Sequence, residues 1–323
     1  MNTDILEKPY VVGIDIGGQT TKMGIVDMRG QVLSQTVIRT DTYDDVNLYI
    51  DEVAAALEKI ITESASEGKI RGIGVGAPNG NYYTGNIENA VNLVWGAGKI
   101  PFAELLSKRT GGLKVALTND ANAAAVGEMT YGAARGMKNF IMITLGTGVG
   151  SGIVINGEVV YGHDGYAGEL GHTCAVRHNG RVCGCGKTGC LETYCSATGV
   201  ARTAREWLDM TDEPSVLRSL DSISSKDVYE AAKDGDKLAL KIFDFTGKIL
   251  GESFADFVAF SAPEAIVLFG GLARAKEYLY QPIMDAMNAN LLHLWRNKIK
   301  IVFSQLKESD AAILGASALA WEL

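Results

Sequence analysis

The sequence predicts an α/β protein built as two lobes, and three observations carry that expectation. At 323 residues the chain exceeds what one hydrophobic core usually serves. Two apolar strands broken by glycine turns, at Tyr10–Val26 and Phe140–Ile155, stand more than a hundred residues apart and read as a duplicated design. Helical and strand patterns alternate between and after them.

In order along the chain, Tyr10–Ile16 is a continuous apolar run, Gly17-Gly18 breaks it and Thr21–Val26 resumes it. Val46, Ile50, Val53, Leu57, Ile60 and Ile61 recur at helical spacing, and Ile70–Gly76 reads as a buried strand ending in Ala77-Pro78. Thr118–Ala125 ends a short apolar strand and opens an alanine-rich helix. Phe140–Leu145 is a strand, Gly146–Gly152 a glycine-rich turn, and Ile153–Ile155 leads out of it. Asp236–Phe260 is a long helical pattern stopped near Pro263, followed by a strand at Ala265–Phe269 and by Gly270-Gly271. A last helix, opened by Ser309 or Asp310, runs to about Ala320 and is expected to pack back on the first lobe. The first lobe is placed at residues 1–117 plus about 310–323, and the second at 118–309 with a knuckle at 172–190.

Composition narrows the function. With 47% hydrophobic and 21% charged residues, the chain can pack a core throughout. A net charge of −8 argues against sequence-independent nucleic-acid binding, which needs many Lys and Arg on phosphates. No run of about 18 apolar residues implies a membrane span. Met1–Lys8 lacks the basic start and apolar segment of a secretory signal, so a cytoplasmic location is expected. The five cysteines all fall between Cys174 and Cys195, which favours metal binding over a disulfide framework.

Several constellations carry chemistry. Asp15-Ile16-Gly17-Gly18 sets a carboxylate at a strand end before a turn whose N–H groups can approach an anion, which suits a Mg²⁺–phosphate complex; a plain Asp–Gly turn is the bland alternative. Gly146-Thr147-Gly148 offers a second such turn, or simply a glycine-rich hairpin. Neither has the third glycine of a dinucleotide fingerprint. Gly186-Lys187-Thr188 resembles the end of a P-loop, but Arg181 stands where the first glycine belongs. Asp120 at a strand's C-terminal end is read as helix cap, as acceptor of a hydroxyl proton, or as both, with Asn119 beside it able to bond vicinal hydroxyls. Gly168-Glu169-Leu170-Gly171-His172 brings an acid and an imidazole together. Cys183, Cys185 and Cys190 with His172 make a Cys₃His set suited to tetrahedral, structural zinc, while Cys174 and Cys195 are read as core residues, either of which could replace a chosen ligand. Glu192, two residues after the last thiol, joins Glu169 and His172 around one point, and a carboxylate pair of this kind also suggests glycoside hydrolysis as a minor alternative.

In these residues the chain resembles the bacterial ROK family of sugar kinases and repressors, within the actin-like ATPase superfamily. Asp15–Gly18, Asn119–Glu128, Gly146–Gly152, Glu169–His172, Cys183–Glu192, Gly270-Gly271 and Gly315-Ala316 follow that family's order over nearly the whole chain. The resemblance implies an actin-like ATPase (ribonuclease H-like) fold with a cleft between lobes. It implies Asp120 as catalytic base and Asn119, Glu169, His172 and Glu192 as sugar ligands, joined by Gly76, Asn79 and Asn92 from the first lobe. It implies nucleotide contacts at Gly18, Gln19, Thr20, Lys22, Thr147, Gly148, Gly270 and Gly271, with Asp15 organising Mg²⁺. Gln19 departs from the Thr usual there, with Thr20 and Thr21 supplying hydroxyls nearby. The implied reaction is transfer from ATP to the 6-hydroxyl of a hexose, first of all glucose, in glycolysis. N-acetylmannosamine, fructose and allose are alternative hexoses, and a non-catalytic sugar sensor is the alternative of another class. The partners implied are sugar and ATP, with no nucleic acid and no membrane, and the protein itself is implied to be a homodimer. The repressor branch's N-terminal DNA-binding segment has no place before a first strand at Tyr10.

Overall fold

The computed structural model describes residues 7–323, apart from the side chains of Glu308 and Ser309, so residues 1–6 and any capping role of Ser309 lie outside the described residues. Contacts divide the chain into two compact units. One runs through Gly136 and takes in Val159–Ala167 and Gln305–Leu323; the other holds Met137–Glu158 and Gly168–Ser304.

The first unit carries a five-stranded sheet in the order β3-β2-β1-β4-β8, with β1 Tyr10–Ile16, β2 Thr20–Asp27, β3 Val32–Arg39, β4 Ile70–Gly76 and β8 Val115–Thr118. β1 and β2 form an antiparallel hairpin, while β4 and β8 extend the sheet in parallel. The centre is apolar on both faces, as a covered parallel sheet requires, and β3 at the edge alternates half-buried and exposed positions. Helix α1 (Val46–Glu63) buries Tyr49, Ile50, Val53, Leu57 and Ile60 on one face, and Asp45 caps it by accepting from the Asn47 N–H at 2.6 Å. Three short strands, β5 Gly80–Asn81, β6 Asn86–Glu88 and β7 Lys99–Ile100, form a side sheet before helix α2 (Phe102–Arg109). Helix α3 (Asp120–Tyr131) follows β8.

The second unit repeats the plan in the order β11-β10-β9-β12-β13. Here β9 is Phe140–Leu145, β10 Val149–Ile155, β11 Glu158–Val159, β12 Ala265–Phe269 and β13 Lys300–Phe303. Again an antiparallel hairpin, β9 with β10, is extended by parallel strands. Its helices are α4 (Glu192–Cys195), α5 (Ala197–Met210), α6 (Ser225–Lys233), α7 (Lys237–Ser261) and α8 (Lys276–Asn290). Asp236 caps α7, which ends at Ala262 in the left-handed region, just ahead of Pro263. The chain then returns as α9 (Glu308–Ala318), two residues ahead of the expected opening, and α9 packs on β1 and β4 of the first unit. That contact needs Gly74, where a Cβ would stand 1.9 Å from the Ala316 carbonyl oxygen.

Two expectations are corrected. The glycine-rich turn spans only Gly146–Gly148, since Val149–Gly152 already pair with β9. Helix α3 sits with the first unit, against α9 and β4, so contacts place the division after Gly136 rather than near Leu117. The sequence shows no break there because α3 gets its burial from small residues, Ala121, Ala123 and Ala125, and from the distant α9.

Candidate active site

In the first unit two carboxylates meet at the C-terminal ends of β1 and β8. Asp120 is the first residue of α3, and Asn119, not Asp120, is the cap: its Oδ1 accepts from the Asn122 N–H at 2.7 Å. The Asn119 amide nitrogen is thereby left as its outward donor. Asp120 Oδ1 accepts from the Ala121 N–H at 2.9 Å, and Asp120 keeps open surface. The protein around it withdraws enough solvent to raise its pKa, an effect that the neighbouring backbone N–H groups only partly offset. Asp15 rises to about 6, first through burial and then through repulsion from Asp120, against the opposing charge of Lys22. Lys22 lies directly across the hairpin from Asp15. No protein donor reaches the Asp15 oxygens among the described residues, as suits a carboxylate meant for an outside cation. Gly76 allows this approach: a Cβ there would stand 3.2 Å from Ala123 Cβ and 3.6 Å from Asp120 Cα.

The Gly17–Thr20 turn is closed by the Gly17 N–H donating to the Thr20 carbonyl at 3.0 Å, and the Gln19 carbonyl accepts from the Thr40 N–H at 2.9 Å. The Gln19 side chain is exposed. Thr21 does not offer a hydroxyl as expected: it is fully buried and bonded to Thr40 at 2.8 Å and Tyr49 at 2.6 Å. Asn92 sits over Gly18, whose Cβ would stand 2.8 Å from the Asn92 carbonyl oxygen, so these two candidate residues are neighbours. Asn79 spends its amide nitrogen on the Glu88 and Asn89 carbonyls, both at 3.0 Å, which leaves its oxygen free.

The second unit gathers the other candidates. His172 Nδ1 lies 3.7 Å from Cys183 Sγ, Cys185 and Cys190 sulfurs are 3.7 Å apart, and all four ligand atoms fall within 4.8 Å of one another. A tetrahedral zinc with bonds of about 2.3 Å has ligand–ligand edges of about 3.8 Å, so the donor set and spacing fit that ion. Burial and the neighbouring thiols push Cys190 up to about 12, a conflict that a cation resolves by stabilising thiolates. Cys195 is a core residue as expected. Cys174 is exposed, and neither belongs to the cluster.

Glu192 opens α4 and ties this knuckle to the second glycine turn. One of its oxygens accepts from the Val149 N–H at 2.9 Å, and the other lies 3.8 Å from Cys183 Sγ. A side chain at Gly148 would displace the Glu192 carboxylate, because a Cβ would stand 2.3 Å from Glu192 Oε2. The turn is further held by the Ala197 N–H on the Gly146 carbonyl and by the Thr198 hydroxyl on the Thr147 carbonyl, both at 2.8 Å. Thr198 has no signal in the sequence, since its partner is 51 positions away. Gly270, at φ 101°, lies over the Leu145 backbone, whereas nothing among the described residues would crowd a Cβ at Gly146 or Gly271. Glu169 is exposed and leads directly into the turn carrying His172, whose N–H donates to the Glu169 carbonyl at 3.1 Å.

Comparison with known proteins identifies the family. The ROK family model matches residues 11–322. The glucokinase of Halalkalibacterium halodurans is 38% identical over 96% of this chain and 94% of its own. That of Thermotoga maritima is 33% identical over 97% of this chain and 98% of its own. A ROK family glucokinase from Streptomyces griseus, solved with glucose and AMPPNP, is 32% identical with a TM-score of 0.76, over 97% of this chain and all of that one. The α/β two-lobed fold inferred from the glycine turns is the fold of these kinases. By sequence match and by fold, the chain belongs to the ROK family.

Proposed function

We propose that this protein is an ATP-dependent glucokinase that transfers the γ-phosphoryl group of ATP to the 6-hydroxyl of glucose. The full-length similarity to glucokinases supports the substrate pair. The observation that carries the mechanism is the position of Asp120: Asn119 takes the capping duty, so Asp120 retains an oxygen for the sugar.

The 6-hydroxyl gives its proton to the Asp120 carboxylate as its oxygen bonds to the γ-phosphorus, and the bond to ADP breaks on the opposite side. In such a loose transition state, positioning and charge stabilisation dominate. Gly18, Gln19, Thr20, Thr147, Gly148, Gly270 and Gly271 are assigned to the nucleotide; the Gly146 N–H closes the turn on the Gly148 carbonyl at 3.0 Å, and the uncrowded Gly271 leaves room for phosphates to approach. Asp15, with Lys22 opposite, would hold Mg²⁺, which supplies charge neutralisation across the phosphates. Asn119, Glu169, His172 and Glu192, with Gly76, Asn79 and Asn92, are assigned to the sugar.

His172, Cys183, Cys185 and Cys190 would hold a structural zinc, which supplies rigidity and no open coordination position. With Nδ1 facing the thiols, His172 keeps Nε2 as a donor toward a hydroxyl. The knuckle thus orients two sugar contacts, His172 directly and Glu192 through its own segment.

A coupled ADP-release assay across about ten hexoses tests the reading. Glucose is expected to be turned over fastest, and Asp120→Asn to lower turnover by about 10² to 10⁴. Activity of that variant within a few-fold of wild type would remove Asp120 from the role of base.

A further inference from the structure

Arg181 is absorbed by none of the roles above, yet it is one of the most fully bonded side chains of the second unit. It is 8% exposed and lies two residues before the first metal-site thiol. All five guanidinium N–H groups have acceptors. Nε and Nη2 donate to Glu206 Oε2 at 3.0 and 2.5 Å, and Nη2 also donates to Thr203 Oγ1 at 2.9 Å. Nη1 donates to the Thr193 carbonyl at 2.8 Å and to the Gly199 carbonyl at 3.4 Å. Its main-chain N–H donates to the Tyr194 hydroxyl at 2.8 Å, and its guanidinium carbon lies 4.5 Å from the Tyr194 ring centre. Burial opposes ionisation of Glu206, but hydrogen bonds from Arg202 and Arg181 and their charges outweigh it and hold that carboxyl below its ordinary range.

What Arg181 grips decides its meaning. Thr193 follows Glu192, whose carboxylate bonds the Val149 N–H and approaches Cys183. Gly199 lies in the first turn of α5, immediately after Ala197 and Thr198, the two residues that bond the Gly146 and Thr147 carbonyls. One planar cation therefore spans the knuckle strand, the start of α4 and the start of α5. The first carries a metal ligand, the second a sugar carboxylate, and the third bonds the nucleotide turn.

We propose that Arg181 is the positioning residue that sets Glu192 relative to the metal knuckle and the Gly146–Gly148 turn. This rests on the glucokinase reading, in which Glu192 contacts the sugar. Lysine cannot reproduce the arrangement, having three donors and no planar fork. The fork is needed because the acceptors lie in different segments, and a loosened Glu192 costs sugar binding before it costs chemistry.

The test compares wild type, Arg181→Lys and, as a milder control, Thr203→Val, which removes one acceptor of Arg181 and the bond of that hydroxyl to the Gly199 carbonyl. KM for glucose, KM for ATP and kcat are measured, together with release of zinc from the zinc-loaded proteins to a colorimetric chelator. Arg181→Lys is expected to raise the glucose KM by roughly 10- to 100-fold, with kcat within a few-fold, and to release zinc faster. Thr203→Val is expected to shift both readouts much less. Unchanged glucose KM in Arg181→Lys, whatever its melting temperature, would overturn the proposal and leave Arg181 a stabilising residue only. Wild-type protein inactive on every hexose would instead overturn the glucokinase reading, and the zinc-release comparison would still decide whether Arg181 holds the knuckle.

Discussion

Replacing Asp15 by Asn should make the protein more stable at neutral pH and, on the role proposed for Asp15, remove Mg²⁺-dependent ATP binding. Asp15 is mostly buried, has no protein donor among the described residues and faces Asp120, so its pKa rises from 3.8 to about 6. For a carboxylate whose folded pKa lies above its unfolded value, the charge penalty is absent below pH 3.8, where both states are protonated. It grows through the window between the two values and is complete above about pH 6. At about 1.4 kcal/mol per pH unit, the two values set a limit of about 3 kcal/mol at pH 8 and about half that at pH 5. Residual hydration of the side chain lowers the limit, so a gain of about 1–3 kcal/mol is expected at pH 8, or roughly 1.5–5 °C in melting temperature for a chain of this length. Scanning calorimetry of wild type and Asp15→Asn, without nucleotide, at pH 5 and pH 8 measures it. The gain should shrink by about half at pH 5, and it should be smaller in an Asp120→Asn background, because one source of repulsion is already gone. Equal or lower stability of Asp15→Asn at pH 8, or a gain that ignores pH, would refute the account of a strained acid pair.

Other outcomes follow from the same geometry. In the proposed mechanism Asp15 and Asp120 both act ionised, so kcat/KM should fall on acidification starting near pH 6 rather than near pH 4, and Lys22→Met should move the acid limb of ATP binding to higher pH; a pH–rate profile reads both. Gly148→Ala places a Cβ 2.3 Å from Glu192 Oε2 and should raise the glucose KM by roughly tenfold or more through displacement of that carboxylate, measured by steady-state kinetics. Stripping zinc with a strong chelator, or Cys185→Ser, should lower the melting temperature and raise the glucose KM, with both restored in the chelated protein by added Zn²⁺.

Much of this is legible along the chain because it depends on local chemistry. Asp15 before two glycines and Asn119-Asp120 at a strand end need only a few consecutive residues, and the Cys₃His set lies within the single short stretch from His172 to Cys190. The two strand–glycine–strand units reveal the duplicated design because a glycine turn between apolar runs favours a hairpin, whereas the order of the parallel strands beside each hairpin is seen only in the fold. Tertiary structure decided what depends on partners far away in sequence. That Asn119 rather than Asp120 caps α3 is a local choice, but one the sequence leaves open because both residue types cap equally well. The Thr21 hydroxyl is consumed by Thr40 and Tyr49, brought in by β3 and α1. Helix α3 belongs with the first unit because α9, nearly two hundred residues later, covers its small side chains. Arg181 reads in sequence as a broken P-loop position, and only the packing of α4 and α5 gives its five donors their acceptors. A sequence specifies which groups are present and which local turns they make. Whether a given oxygen or guanidinium is free or already bonded is settled only when distant segments close around it.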